Sequence, residues 1–481
     1  MKESSAGTQP GAKVSRVSFD PEAVDDLLSR ELRQLSFQQR SVIQEEIHGV
    51  RDAAINETPE TIQEALREMS HELDNVLPVS EKTAYLHAKS LNASYVTGSD
   101  FQLRFLRSTL FDAPHAARKL VGFLDLLLEY YGRVALQRPI RLSDLGKDAM
   151  DVLRAGQTMQ MLPFRDRSGR RIFTVVGDFG LHYDYDTRVK VYLYMFSAAS
   201  DDIETQRRGI VFVIWPGPTN DLQLSFPDPK ENATGAKIFA SAPIRICAMH
   251  FCLRDGPVAR FIRACLTLMV GKDNWSRIRF DAGEGTEILY KLMGYGIPVD
   301  LLPLTDSGNV KTKQLMQWIK IRKAIEVDIE KFGSTTIIEC PFKHDVIIRF
   351  GKAYTDHPGT IMFRSILERH YEEHYMAASK ESKVAVTWKI VEEVQKKGGR
   401  FLVWDNRGWW VQINDRAVIR AKVAVSMKDH TKRIQALQNV QSPQCSTYKF
   451  ERQDLRKRKR YQGGSSDSQC CGHGCDPDGV F

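Results

Sequence analysis

Apolar residues recur at helical spacing through the first 135 positions. Between 20 and 50 they fall at Val24, Leu27, Leu28, Leu32, Leu35, Val42 and Ile43, which predicts a leader helix capped by Ser18. The stretch Thr58–Val76 opens with a capping threonine, Pro59 in the first turn and Glu60 at the positive end of the helix. Phe101–Leu110, capped by Asp100, and Ala113–Tyr131, capped by Asp112, complete a helical lobe over 56–135. The pattern changes after Pro139. Arg171–Val176, Val189–Met195, Gly209–Trp215 and Ile244–Phe251 are β-branched or aromatic runs of strand length, and Pro257–Val270 is apolar at helical spacing. Near-continuous apolar strands alternating with helices predict an α/β layer, with a mixed, largely buried sheet flanked by helices over 136–305.

Further on, Lys311–Lys331 is a charged helix within a linker over 306–339. Helices Ile361–Tyr375 and Lys380–Lys397, a Gly398-Gly399 stop, strands Arg400–Trp404 and Gly408–Ile413 around the turn Asp405–Gly408, and a helix Asp415–His430 follow. They predict a separate small α+β domain over 340–432. Its apolar set, including Phe363, Trp388, Ile390, Phe401 and Trp410, predicts that it folds on its own. Residues 1–17 and 433–481 are polar and read as disordered, so 1–55 is a disordered start plus the leader helix.

A chain of 481 residues suggests about three domains, and 42% hydrophobic with 27% charged residues is a soluble, globular balance. No run of 18 apolar residues exists, which excludes a membrane-spanning helix. Met1-Lys2-Glu3-Ser4 offers no secretory signal and no myristoylation glycine, and Cys475 stands too far from the end for prenylation. A cytoplasmic protein, peripheral at membranes, is expected. Eight irregularly spaced cysteines form no disulfide framework; Cys247, Cys252, Cys265 and Cys340 read as small core residues.

The net charge of +8 is unevenly placed. Residues 1–339 carry 43 Lys/Arg against 44 Asp/Glu, whereas 340–460 carry 25 against 13, a net of +12. That third alone invites a polyanionic partner. The run Arg456–Arg460 reads equally as a nuclear import signal, a polyanion-binding arm or a solubilising segment.

Enzyme signatures are absent: no phosphate loop, no nucleophile elbow, no zinc helix, and glycines 283, 285, 294 and 296 do not follow a strand in dinucleotide-binding order. No enzyme activity and no cofactor are expected. Cys470-Cys471-x-His473-x-Cys475 is too cramped for a structural zinc site and reads as free thiols, so no metal is assigned.

Two resemblances add to this reading. Phe105-Leu106-Arg107 with Phe111-Asp112, Ala116-Ala117 and Leu120 is similar to the Phe-Leu-Arg…Phe-Asp…Ala opening of the CRAL-TRIO lipid-binding family, the group of the yeast phosphatidylinositol-transfer proteins. Asp166–Arg170, Glu204-Thr205-Gln206 before Gly209–Ile214, Pro243-Ile244-Arg245, Arg277–Phe280 and Gly296–Pro303 continue it over about 80–305. Glu31–Ser36 with Ile47-His48-Gly49 resembles the leader of algal members. The resemblance implies one lipid held in an apolar pocket between the sheet and a gate helix, Pro257–Val270, facing it through Val258, Phe261, Ile262, Leu266, Leu268 and Met269. Phe173, Val175, Phe212, Ile214, Ala248 and His250 would form the floor, and Phe261, Cys265, Leu268 and Met269 the gate side. Tail burial at about 0.8 kcal/mol per methylene supplies the driving force. Phosphoinositide-binding members carry basic residues where Ser108-Thr109-Leu110 stand here, and an acid where Ile244 stands. Arg277 keeps a charge at the family's headgroup position, and the lipid's identity stays open.

Asp345-Val346, Gly351-Lys352, His357-Pro358-Gly359 and Phe363-Arg364, with Lys397–Phe401 and Trp409–Val411, are similar to a domain of unknown function common in algal proteins, over about 340–430. Lys352, His357, Arg364, Arg400, Arg407 and Trp410 are its candidate binding residues. Read from the residues alone, helices and a basic hairpin suit nucleic acid, with Arg400, Arg407, Arg416, Arg420 and Lys422 on phosphates and Trp404 or Trp410 stacking on bases. An anionic membrane surface and a merely solvated basic face remain open beside it. Oligomeric state is open too.

Overall fold

The structure, a computed structural model, describes residues 21–51, 53–91, 94–217, 229–254, 256–349 and 351–441. The Ser18 cap, Cys445, the Arg456–Arg460 run and the Cys470–Cys475 cluster lie outside them.

The leader is two helices, Pro21–Gln34 and Phe37–Ile47, rather than one. Ser36 Oγ accepts from Gln39 N while Gln39 Oε1 accepts from Ser36 N. This reciprocal cap starts a second helix immediately after Leu35. Thr58 caps Pro59–His71, and the Asp112 carboxylate accepts from His115 N to start Ala113–Tyr131, as the sequence predicts. The helix between them spans Ser99–Ser108, with Gly98 and not Asp100 at the cap position. Its Phe101 meets Phe105 edge-on, and Phe105 reaches Phe123 at a ring separation of 5.9 Å, within the core of the helical lobe.

A five-stranded sheet follows, in spatial order β1 (Gln160–Met161), β2 (Arg171–Val176), β3 (Ile210–Trp215), β4 (Ile246–Leu253) and β5 (Ile278–Ala282). β1 is antiparallel to β2, and the remaining pairs are parallel. The chain is therefore mixed α/β. One predicted strand is helix: Val189–Met195 lies inside Tyr185–Ala199, started by the Asp184 carboxylate accepting from Thr187 N. This helix packs against Ala113–Tyr131 and Gly146–Ala155 and is buried nearly all round. It therefore shows no apolar stripe, and its β-branched and aromatic residues mimic a strand.

Both faces of the sheet are buried. Phe173, Phe212, Ile214, Met249 and Phe251 point into one core with the helical lobe and the Pro257–Val270 helix. Ile172, Val211, Val213, Ala248 and Cys252 point into the other, closed by Ile288 and Leu292 of the helix Gly285–Gly294. An irregularity between Ile210 and Val211 sets this division. Ile210 pairs with Ile246 but Val211 pairs with Ala248, so Phe212 and Ile214 pair with Met249 and Phe251. Ala248 and His250 consequently face away from the core that holds Phe212. They would join it only in an unbroken register.

A second sheet has three strands: β6 (Val346–Ile347) runs parallel to β7 (Phe401–Trp404), and β8 (Trp410–Gln412) closes the hairpin antiparallel to β7. The chain forms two compact units. Among the described residues, the first runs to Phe363 and takes in Gln395–Asn414; the second comprises Arg364–Val394 and residues 415–441. Contacts thus divide the chain inside the helix Pro358–Arg369 and group the hairpin with the larger unit. There Trp410 packs with Phe164, Tyr354 and Trp404, and Trp318 Nε1 donates to Glu339 beside the bridge Ile338–Trp410. The second unit buries Ile366, Val386, Ile390, Val394, Ile419 and Val423. Its surface carries His430 on Glu368 at 2.8 Å and Arg416 over the Trp388 ring.

Gly209 leads into β3 at φ 76°, ψ −165°, a conformation essentially reserved for glycine. An added Cβ would stand 2.5 Å from Arg245 O and Cys247 Sγ. Gly209→Ala is expected to cost at least 1–3 kcal/mol, order of magnitude, and to lower the calorimetric melting temperature of the larger unit. An unchanged melt would refute this account of the β3–β4 register.

Candidate functional site

Between the sheet and the helix Pro257–Val270 lies a cavity of about 280 Å³. Its floor is Val175, Phe212, Ile214 and Phe251, and Cys265, Leu266, Met269 and Val270 form the roof. The helix Pro229–Ser241 closes one side with Gly235, Ile238 and Phe239, and Tyr185–Ala199 another with Tyr192 and Phe196. Gly235 lets this helix come close to Pro257–Val270, since a Cβ there would stand 2.8 Å from Met269 Cγ. The volume is nearly twice the roughly 150 Å³ that suffices to hold benzene.

Among the residues expected in the pocket, Val175, Phe212, Ile214, Cys265 and Met269 line it. Phe173 does not. It is fully buried on the same face of the sheet, its ring 5.4 Å from Phe212 and 5.9 Å from Phe196. Phe261 and Leu268 are half-buried on the gate helix but are not part of the lining, because the helix presents 265, 266, 269 and 270 instead. The side chain of Val258 lies outside the described residues. Ala248 and His250 are on the opposite face of the sheet, for the register reason above. His250 is fully buried there; its Nδ1 lies 3.0 Å from Asp281, which also accepts from the Tyr295 hydroxyl at 3.1 Å. Burial outweighs Asp281 and lowers the His250 pKa, so the ring is neutral.

Arg277 is engaged. Glu46, from the second leader helix and 1% exposed, receives the guanidinium groups of both Arg245 and Arg277. Arg170, itself held by Asp166 at 2.6 Å, donates to the backbone carbonyl of Glu46. The leader thus engages Arg277, the residue expected to meet a headgroup. Burial alone would raise the Glu46 pKa, but Arg245 and Arg277 hold it below the usual carboxylate range.

The basic candidates are mostly used internally as well. Arg400 makes a two-pronged pair with Asp345, at 2.9 and 2.7 Å, and lies over the Phe342 ring. Arg407 pairs with Asp405 across the hairpin turn and covers Trp409. Trp410 is 3% exposed, so its faces are given to protein rings. His357 is buried, its Nδ1 accepts from Gly359 N at 3.3 Å, and burial lowers its pKa to about 4. Arg364 is half-buried in the second unit, and the Lys352 side chain lies outside the described residues. Arg188, Tyr185, Tyr192 and Glu231 are cavity residues that sequence reasoning missed; the first three lie on the helix misread as a strand.

Residues 345–429 match the model of a domain of unknown function, DUF6824. This is the region where the second resemblance falls. No CRAL-TRIO match was found over the remainder. No match to the chain was found among curated proteins.

Because its folded pKa is depressed, Glu46 stabilises the fold above the unfolded carboxylate value near 4.3, and this contribution is lost as pH falls through the lower folded value. Glu46→Gln leaves two buried guanidinium groups uncompensated and is expected to cost roughly 3–5 kcal/mol at pH 7. The difference between variant and wild type should shrink toward pH 3. Denaturant melts at both pH values decide it, and an equal loss at pH 3 and 7 would contradict the linkage.

Proposed function

We propose that this protein binds one apolar ligand of lipid character in the cavity under Pro257–Val270, without catalysis, in the manner of CRAL-TRIO proteins. The observation that carries the reading is the apolar cavity itself, floored by a parallel sheet and roofed by an amphipathic helix. A well-packed core tolerates few voids larger than a water molecule, so a lined space of this size calls for an occupant. The motif order over 80–305 supports the same reading. Among the described residues no helix is long and apolar enough to cross a membrane.

Lipids extracted from the intact purified protein and weighed by mass spectrometry test this. One defined ligand per chain is the expected result. Leu266→Asp places a charge in the roof and should abolish loading; Val175→Trp fills the floor and should do so with the melting temperature preserved. No co-purifying ligand and no saturable binding of any amphiphile would end the reading.

A second reading concerns the basic third. Arg416, Lys422, Lys428, Lys432 and Arg433 are all exposed on the helix Arg416–Gln441. We infer an electrostatic contact with a polyanion, membrane surface or nucleic acid, through this helix rather than through the hairpin. Lys422→Glu with Lys428→Glu and Lys432→Glu in the intact protein should weaken binding to anionic vesicles or single-stranded DNA, with about 1 kcal/mol lost per charge removed at a membrane. For DNA, the slope of log affinity against log salt should become shallower. Wild-type binding to neither at matched ionic strength would refute it.

A further inference from the structure

The cavity is apolar except at one place. Arg188 lines it with Tyr185, Tyr192, Glu231 and Asn232, and is 8% exposed. Arginine is among the residue types least often buried unless paired. The carboxylate paired with it, Glu231, stands at 3.9 Å from Nη2, beyond hydrogen-bond distance, and the Tyr192 hydroxyl is its polar neighbour. Among the described residues Arg188 Nε has no hydrogen-bond partner. The guanidinium lies over the Tyr185 ring at 5.1 Å, and the Tyr185 hydroxyl donates to the Glu231 carbonyl at 2.7 Å, which fixes the ring. The Glu231 side chain is 38% exposed and so is largely compensated by water rather than by Arg188. A planar, permanently charged donor held at the wall of an otherwise apolar space, with an unsatisfied N–H, suits a planar anion bound through two parallel hydrogen bonds.

Resting on the cavity reading above, we propose that the ligand is a single-chain amphiphile ending in a carboxylate, with Arg188 as the residue that recognises the carboxylate and Tyr192 beside it. Size and charge both favour this class. At about 280 Å³ the space is at the small end for drug-sized ligands, which suits one chain or ring system rather than two acyl chains. One guanidinium balances one negative charge, and Glu231 nearby disfavours a second. Charge selection and tail burial then lie in the same cavity, without the phosphoinositide contacts that Glu46 pre-empts at Arg277.

Calorimetric titration of the intact protein with dodecanoate, dodecanol and dodecyl phosphate at one ionic strength tests the assignment. Dodecanoate should bind at least about tenfold more tightly than dodecanol, in line with a charge-assisted hydrogen bond. Arg188→Gln should erase that preference while leaving dodecanol affinity unchanged. Glu231→Gln, which removes the negative charge beside the site, should strengthen dodecanoate binding severalfold and change dodecanol binding far less; this gain keeps the test decisive if Arg188→Gln fails to fold. Equal binding of dodecanol and dodecanoate, or tighter binding of dodecyl phosphate, overturns the carboxylate assignment and leaves the lipid cavity standing. Binding of none of the three overturns both.

Discussion

The register of β3 against β4 decides which side of the sheet each side chain serves. Because side chains alternate along a strand, the irregularity at Ile210/Val211 moves every later residue of β4 by one position relative to β3. Met249 and Phe251 join the cavity face, and Ala248, His250 and Cys252 join the other. An unbroken register would have put the His250–Asp281 pair into the apolar cavity. There its polar atoms would lose Tyr295, which stacks on His250 at 4.3 Å and donates to Asp281. Gly209 is the local device that permits the irregularity, since no side chain fits beside Arg245 O at that point.

Segregating polar groups to one face has a second consequence. Glu46, Arg170, Arg245, Asp166 and Arg277 form a charged network at the N-terminal ends of the parallel strands, and the leader helix Phe37–Ile47 is one of its members. Such networks contribute modestly to net stability, but removing one member is costly. The leader is therefore part of the fold rather than an appendage. The first leader helix, Pro21–Gln34, also packs on the gate helix, with Glu31 on Lys272 at 3.0 Å. The roof of the cavity is thus backed from outside, while its inner side faces a space of low polarity.

Much of this was legible in the residues. Helix caps at Thr58 and Asp112, the strands Arg171–Val176 and Ile210–Trp215, the gate helix and the hairpin are all local patterns, and the structure forms them nearly as predicted. What escaped was set by tertiary contact. The helix Tyr185–Ala199 has no polar face, so periodicity is silent, and Val189–Met195 reads as a strand. Four residues of the cavity wall, Tyr185, Arg188, Tyr192 and Phe196, went with it. The parity of β4 escaped because a bulge leaves no mark in a run of eight buried residues. Glu46 escaped because its two arginines lie about 200 positions away in the chain.

The basic third shows why net charge locates a partner poorly. Its +12 excess counts Arg400 and Arg407, which Asp345 and Asp405 hold, and its aromatic residue best suited to stacking is enclosed by Phe164, Tyr354 and Trp404. Asp345 additionally accepts from Phe342 N at 2.7 Å and is fully buried, so the Asp345–Arg400 pair holds the small sheet's entry in place. Charges spent on such pairs project little field outward. The charge that does face solvent runs along Arg416–Gln441, where valine and methionine at 423 and 427 turn inward and basic residues at 422, 428 and 432 turn out. A diffuse helical stripe of this kind attracts a polyanion without reading its sequence, because it presents point charges and no rigid donor pairs to base edges. Sequence-specific recognition therefore finds no support here, and the exposed charge is of the kind on which the electrostatic contact proposed above rests.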